Sequence, residues 1–215
     1  MTGTGAGAAP DVELYDGTGA RTTGFYAHSS NTGARVASGD LNGDGQAEII
    51  TAEGPGAPSH VVARSLDGAF SSSFQPYGSF HGGVNVAAGD VDGDNVDELI
   101  TAADAGGGPH VIVWDLDGSG HLVAKLGWYA YAGGFRGGVN VALSRAQSGD
   151  YMLTAPASWG GPHIRALRSS GTPIFEFTTY GGNPTNGVNI AFLSQVGTQN
   201  STNQNSSNQN GTTTS

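Results

Sequence analysis

A short phrase, Gly-x-x-Val/Ile-Ala, occurs four times along the chain and constrains its fold more than any other feature. It appears as GARVASGD from Gly33, GVNVAAGD from Gly83, GVNVALS from Gly138 and GVNIAFL from Gly187, at spacings of 50, 55 and 49 residues. Self-similarity at such a period is the mark of propeller blades, units that bury their apolar faces only against neighbours. A second phrase follows the first three copies at a similar offset: TAEGPGAPSHVVA from Thr51, TAADAGGGPHVIV from Thr101 and TAPASWGGPHIRA from Thr154. It also opens the chain, as TGTGAGAAPDVEL from Thr2. The chain therefore begins inside one repeat and ends inside another. The expected fold is all-β: a small β-propeller of about four blades, each a four-stranded antiparallel sheet, with the last blade shared between the two termini.

One repeat divides into four short runs: 84–87, 98–102, 110–114 and roughly 122–131. Each is rich in apolar and β-branched residues, and turn signals separate them. Asp-Gly pairs at Asp16, Asp67 and Asp117 suit hairpin turns, because Asp caps its own backbone and Gly accepts positive φ. With 37 glycines in 215 residues and no helical period, nothing argues for a helix. Aromatic residues fall late in each repeat (Phe25 and Tyr26, Phe74 and Tyr77, Trp128 and Tyr129, Phe175 and Phe177), where they are expected to pack between blades.

The chemistry lies in two acidic loops one period apart, Asp40-Leu-Asn-Gly-Asp-Gly-Gln-Ala-Glu48 and Asp90-Val-Asp-Gly-Asp-Asn-Val-Asp-Glu98. Asp40, Asn42, Asp44 and Glu48 in one loop, and Asp90, Asp92, Asp94 and Glu98 in the other, place oxygen ligands at positions one, three, five and nine. Gln46 and Val96, at position seven, would add a backbone carbonyl. A hard cation such as Ca²⁺ takes six to eight oxygens at about 2.3–2.6 Å, and alternate residues of a tight loop can supply several. Mg²⁺ suits such a carboxylate-rich cage less well, and Zn²⁺ prefers nitrogen or sulfur. Two Ca²⁺ sites are expected. No glutamate stands at position twelve and no helices flank the loops, unlike an EF-hand. The matching stretch of the third repeat, Ser144 to Asp150, has one carboxylate and an arginine, Arg145, and is expected to hold no ion. The fourth, SQVGTQN, has no ligands.

The combination GVNVAAGDVDGDNVDELITAADAGGGPHVIVWD resembles the FG-GAP or VCBS repeats, the family of the integrin α-subunit propellers, over nearly everything before the polar tail. The resemblance implies that each calcium loop joins the first two strands of a blade and braces it. It also implies a role in adhesion, carbohydrate binding or assembly. Seven blades are common in that family, whereas about four repeats are present here and two lack the loop.

Pro-His or its equivalent opens the third run of each repeat, giving His60, His110 and His163, with Asp11 in the matching place of the opening half repeat. Converging on a central axis, these four would suit a transition metal; packed separately, they would be ordinary structural residues. From about residue 197 to 215 the chain is polar and Asn/Ser/Thr-rich, which sets a repeat domain at 1–196 apart from a tail. Asn200, Asn205 and Asn210 lie in Asn-x-Ser/Thr sequons, candidate glycosylation sites in a secreted protein.

A net charge of −10 with eight basic residues excludes a phosphate-backbone partner. No apolar run is long enough to span a membrane. No nucleophile elbow, phosphate loop or zincin motif is present, and the carboxylates left over (Glu13, Glu53, Asp104, Glu176) are not paired by sequence. The expectation is a secreted or cell-surface, non-catalytic, calcium-binding module. Its expected partners are a second copy of itself in a homopolymer, a protein ligand, or glycans held by Trp159 and Trp128. A metalloenzyme built on the histidines is a third reading.

Overall fold

The computed structural model describes residues 1–144, 151–182 and 186–191. The stretch 145–150, with Arg145, and the tail with its three sequons lie outside the described residues. Within the described residues, fifteen strands form four antiparallel sheets. The first sheet holds β1 (Thr2–Gly3), β2 (Asp11–Tyr15) and β3 (Arg21–Tyr26). The second holds β4 (Ala34–Gly39), β5 (Glu48–Glu53), β6 (Val61–Arg64) and β7 (Ser71–Phe74). The third holds β8 (Val84–Gly89), β9 (Glu98–Ala103), β10 (His110–Leu116) and β11 (Leu122–Tyr129). The fourth holds β12 (Val139–Ser144), β13 (Tyr151–Pro156), β14 (His163–Leu167) and β15 (Pro173–Thr178). The only helical element among the described residues is a single 3-10 turn at Tyr180–Gly182.

Each full blade is a meander in which the Gly-x-x-Val/Ile-Ala phrase forms the inner strand and the Thr-Ala phrase the second. The second strands β5 and β9 are buried at every residue. They are rich in Ile and Thr, residues whose branched side chains fit a pleated surface covered on both faces. Inner strands of neighbouring blades pack on one another, β4 on β8 and β8 on β12. One apolar cluster, with Leu41, Ile50, Val61, Val84 and Leu99, joins the second and third blades; another, with Ile100, Val111, Val113, Val139 and Met152, joins the third and fourth.

The repeated glycines have a common cause. Gly33, Gly83, Gly138 and Gly187 have φ of +76°, +91°, +73° and +80°, and a Cβ on any of them would collide with the backbone of the preceding blade. Only glycine meets both conditions at low cost. The hairpin ends also follow the expected chemistry: Asp16, Asp67 and Asp117 each accept backbone N–H groups two residues on through Oδ1.

The expectation of a last blade shared between the termini is met only in part. The segment 187–191 lies against the fourth blade as an inner strand would, with the Val188 amide donating to the Pro156 carbonyl at 2.9 Å. Among the described residues it pairs with no strand of the first sheet, so the ring is not closed. Among the described residues the first sheet has three strands and no inner one. The expected packing of aromatics between blades holds for Phe74 and Trp128, which pack against the core clusters. It does not hold for Tyr26, Tyr129, Phe175 and Phe177, which are exposed.

Candidate metal centre

Both acidic loops connect the inner strand of a blade to its second strand, in the second and third blades. Asp90 closes its own loop: Oδ1 accepts from the Gly93 amide at 2.6 Å and Oδ2 from the Asn95 amide at 2.9 Å. Asp94 Oδ1 accepts from the Val96 amide at 2.8 Å. Asp40 does the same with the Asp44 and Gly45 amides, and Asp44 with that of Gln46. The turns need positive φ, found at Gly43 (+72°), Gly93 (+90°) and Asn95 (+71°). Asn is among the non-glycine residues that tolerate it best.

In the third blade one oxygen each from Asp90, Asp92 and Glu98 lies within 4.8 Å of the others, the only such group of His, Asp or Glu side chains among the described residues. Glu98 is fully buried. Its Oε2 accepts the Val91 amide at 2.9 Å, but its Oε1 is buried without a hydrogen-bond partner. An unpaired carboxylate oxygen in the interior is costly, and burial pushes the Glu98 carboxyl up to about 7. An oxygen-only donor set with one buried, unsatisfied carboxylate oxygen fits a hard divalent cation. Lys125 reaches in from β11, its Nζ 2.7 Å from Asp92 Oδ2, 3.0 Å from Asp115 Oδ2 and 3.8 Å from Glu98 Oε1. Asp92 and Asp115 hold the lysine above its ordinary range.

In the second blade Asp40, Asp44 and Glu48 do not converge in this way. Glu48 is equally buried and its Oε2 accepts the Leu41 amide at 2.8 Å, but its Oε1 is met by the Asn42 side-chain amide at 3.1 Å. The two loops are joined by a residue that the ligand pattern passes over. Asp97 Oδ2 accepts the Asp40 amide at 2.9 Å, and the Asp97 amide donates to the Asp40 carbonyl at 2.8 Å. Gly39 makes room, since a Cβ there would stand 2.8 Å from Asp97 Oδ2. The loop-one counterpart of Asp97 is Ala47, and that mismatch between the copies is the signal that could have revealed it. Lys125 and Asp115 had no such signal beyond Lys125 being the only lysine of the chain.

The histidines do not assemble. His60, His110 and His163 each pack against a ring at the end of the preceding blade (His28, Tyr77 and Tyr131, at 5.5, 5.9 and 6.1 Å between centroids). Among the described residues they form no ligand group with one another or with Asp11. The leftover carboxylates are also apart, each with its own partner: Glu13 with Arg21, Glu53 with Ser30, Asp104 with Arg35 and Glu176 with Arg165. Trp128 is half-buried in the core, whereas Trp159 is 70% exposed at φ +52°. No helix among the described residues is long and apolar enough to cross a membrane.

These features describe an all-β chain of blades with acidic loops between the first two strands. Residues 40–101 match the family model for an FG-GAP-like repeat, so that stretch, from the first acidic loop to the second strand of the following blade, is an FG-GAP-like repeat. A comparison with curated proteins returns no match.

Proposed function

We propose that the protein is a calcium-braced, non-catalytic propeller module of the cell surface or secreted space, which serves binding or assembly. The observation that carries this reading is the convergence of Asp90, Asp92 and Glu98 with the buried, unpartnered Glu98 Oε1. A Ca²⁺ ion there would satisfy that oxygen and tie the end of β8 to the start of β9. Asp40, Asn42, Asp44, Gln46 and Glu48 form the second, less assembled site, and Asp94 and Val96 complete the first. The FG-GAP-like match covers both loops. Calorimetric titration with CaCl2 and, separately, MgCl2 tests the reading. Two calcium sites with weaker magnesium binding are expected, and absence of calcium binding at millimolar concentration overturns it.

Trp159 favours a second reading, a glycan-binding surface, because a large ring held out at positive φ is an unusual arrangement without a ligand. Glycan-array binding lost on Trp159→Ala supports it, and an array with no signal removes it.

A further inference from the structure

We infer that the open end of the fourth blade docks on the first sheet of a second copy of this chain, completing a blade between the two molecules and propagating head to tail. The inference rests on the reading of the chain as a repeat module, but not on the ion.

The interface is already present inside one chain. The aromatic residue that ends each blade reaches the next blade at fixed points. Tyr77 donates its hydroxyl to the His110 carbonyl at 3.0 Å, and Tyr131 donates to the His163 carbonyl at 2.8 Å. Tyr180 stands at the same distance before Gly187 as Tyr131 before Gly138, yet it is 75% exposed. A second series runs along the last strands. Arg64 lies over the Phe25 ring at 3.5 Å, Phe74 packs on Trp114 at 4.6 Å, and Trp128 packs against the fourth blade at Gly171. Phe177 is next in register, and it is exposed. Beside the Tyr180 ring a cleft of about 470 Å³ is lined by Tyr180, Gly187, Val188 and Asn189.

The first sheet offers the matching half. Its β1 is exposed at both residues, where β5 and β9 are wholly buried. Thr51, Thr101 and Thr154 are buried in their blades, and Thr2, which heads the same phrase, is exposed. Among the described residues no strand lies on the inner edge of β1, the one away from β2, and an unpaired edge is a template for strand addition. Transposing the β12–β13 register, Val139 opposite Pro156 through Val141 opposite Thr154, places Val188 opposite Thr4, Asn189 opposite Gly3 and Ile190 opposite Thr2 of the next copy. The same transposition sets Tyr180 on the Asp11 carbonyl and Phe177 against Tyr15, itself exposed. Because the two surfaces differ, the contact is heterologous and generates a ring or an open filament according to the rotation between copies.

The chain has no cysteine, so a Thr2→Cys, Ile190→Cys double variant, oxidised under mild conditions and run on a non-reducing gel, reports the pairing directly. A ladder of multimers is expected from the double variant, whereas each single variant, with no thiol opposite its own across the interface, should run as the monomer. A disulfide-closed monomer would mean that the ring shuts within one chain, and free thiols would mean that the strands do not meet; either result overturns the inference. Light scattering on Phe177→Ala, Tyr180→Ala protein guards against a folding defect at Ile190. Both side chains are exposed, so the melting temperature should hold while association weakens at least about tenfold, as for the loss of interface aromatic anchors. Unchanged association overturns the inference. Calcium titration of the same samples keeps the two readings apart, since loss of ion binding with the ladder intact removes only the calcium reading.

Discussion

The two acidic loops are near copies, yet their surroundings make them different sites. In the loop of the third blade three carboxylates converge, one of them with a buried oxygen that has no hydrogen-bond partner, and a lysine from the blade's outermost strand balances them. In the loop of the second blade an asparagine replaces the middle aspartate, and its amide satisfies the buried glutamate. The first loop is thus closer to neutral and better hydrogen-bonded without an ion, and the second holds more charge in a less satisfied state. A loop motif specifies which oxygens are available; the neighbouring strands decide how strongly those oxygens need a cation.

The largest expected effect comes from removing calcium altogether. An ion that binds only the folded state stabilises it by about 4 kcal/mol per site at a thousandfold excess over Kd. Calorimetric melting should show a fall of roughly ten degrees per site on chelation for a chain of this size, and coincident curves with and without chelator would remove the brace. Next, Glu98→Gln should weaken calcium at the third-blade site by about a hundredfold while sparing the other site, since a charged, buried ligand is lost. Titration of this variant beside Glu48→Gln ranks the two loops, and equal losses would mean that the two sites are equivalent.

Asp97→Ala is a cross-test. It alters the third-blade loop but removes the acceptor of the Asp40 amide, so it should cost about 1–3 kcal/mol and also weaken the second-blade site. An effect confined to its own loop would uncouple them. A pH series on calcium-free protein gives a smaller effect. The Glu98 carboxyl is raised from 4.5 to about 7 in the fold, so its contribution is intact below pH 4.5 and is lost as pH rises through 7. Chelated protein should therefore melt higher near pH 5 than near pH 8, other groups being equal. Glu98→Gln should flatten that difference. Smallest is Lys125→Met. With the competing ammonium removed, calcium should bind the third-blade site a few times more tightly and leave the second-blade site unchanged. Weaker binding would mean that Lys125 supports the ion instead of standing in for it.

Much of this was legible in the residues. The period of the glycine phrase marks the blades, because positive φ and close backbone approach recur at Gly33, Gly83, Gly138 and Gly187. The Asp-Gly turns and the paired loops are local chemistry and were readable for that reason. The contacts of Lys125 were not, since strand order within a blade brings it 33 residues from Asp92 to within hydrogen-bonding reach. The shared position of His60, His110 and His163 suggested an axis, but each ring has its own aromatic neighbour. Trp128 and Trp159 look alike as sequence, and burial separates them.

Among the described residues the first sheet has no inner strand, while each of the other three sheets has one. Blades that touch only their neighbours behave as a one-dimensional chain of coupled units, with stability set by nearest-neighbour terms. Opening should therefore begin at the first sheet and fade toward the middle. Amide hydrogens of β1 and β2 would exchange fastest and those of β9 slowest, so the lone protein frays from one end in a graded way, ahead of any global unfolding.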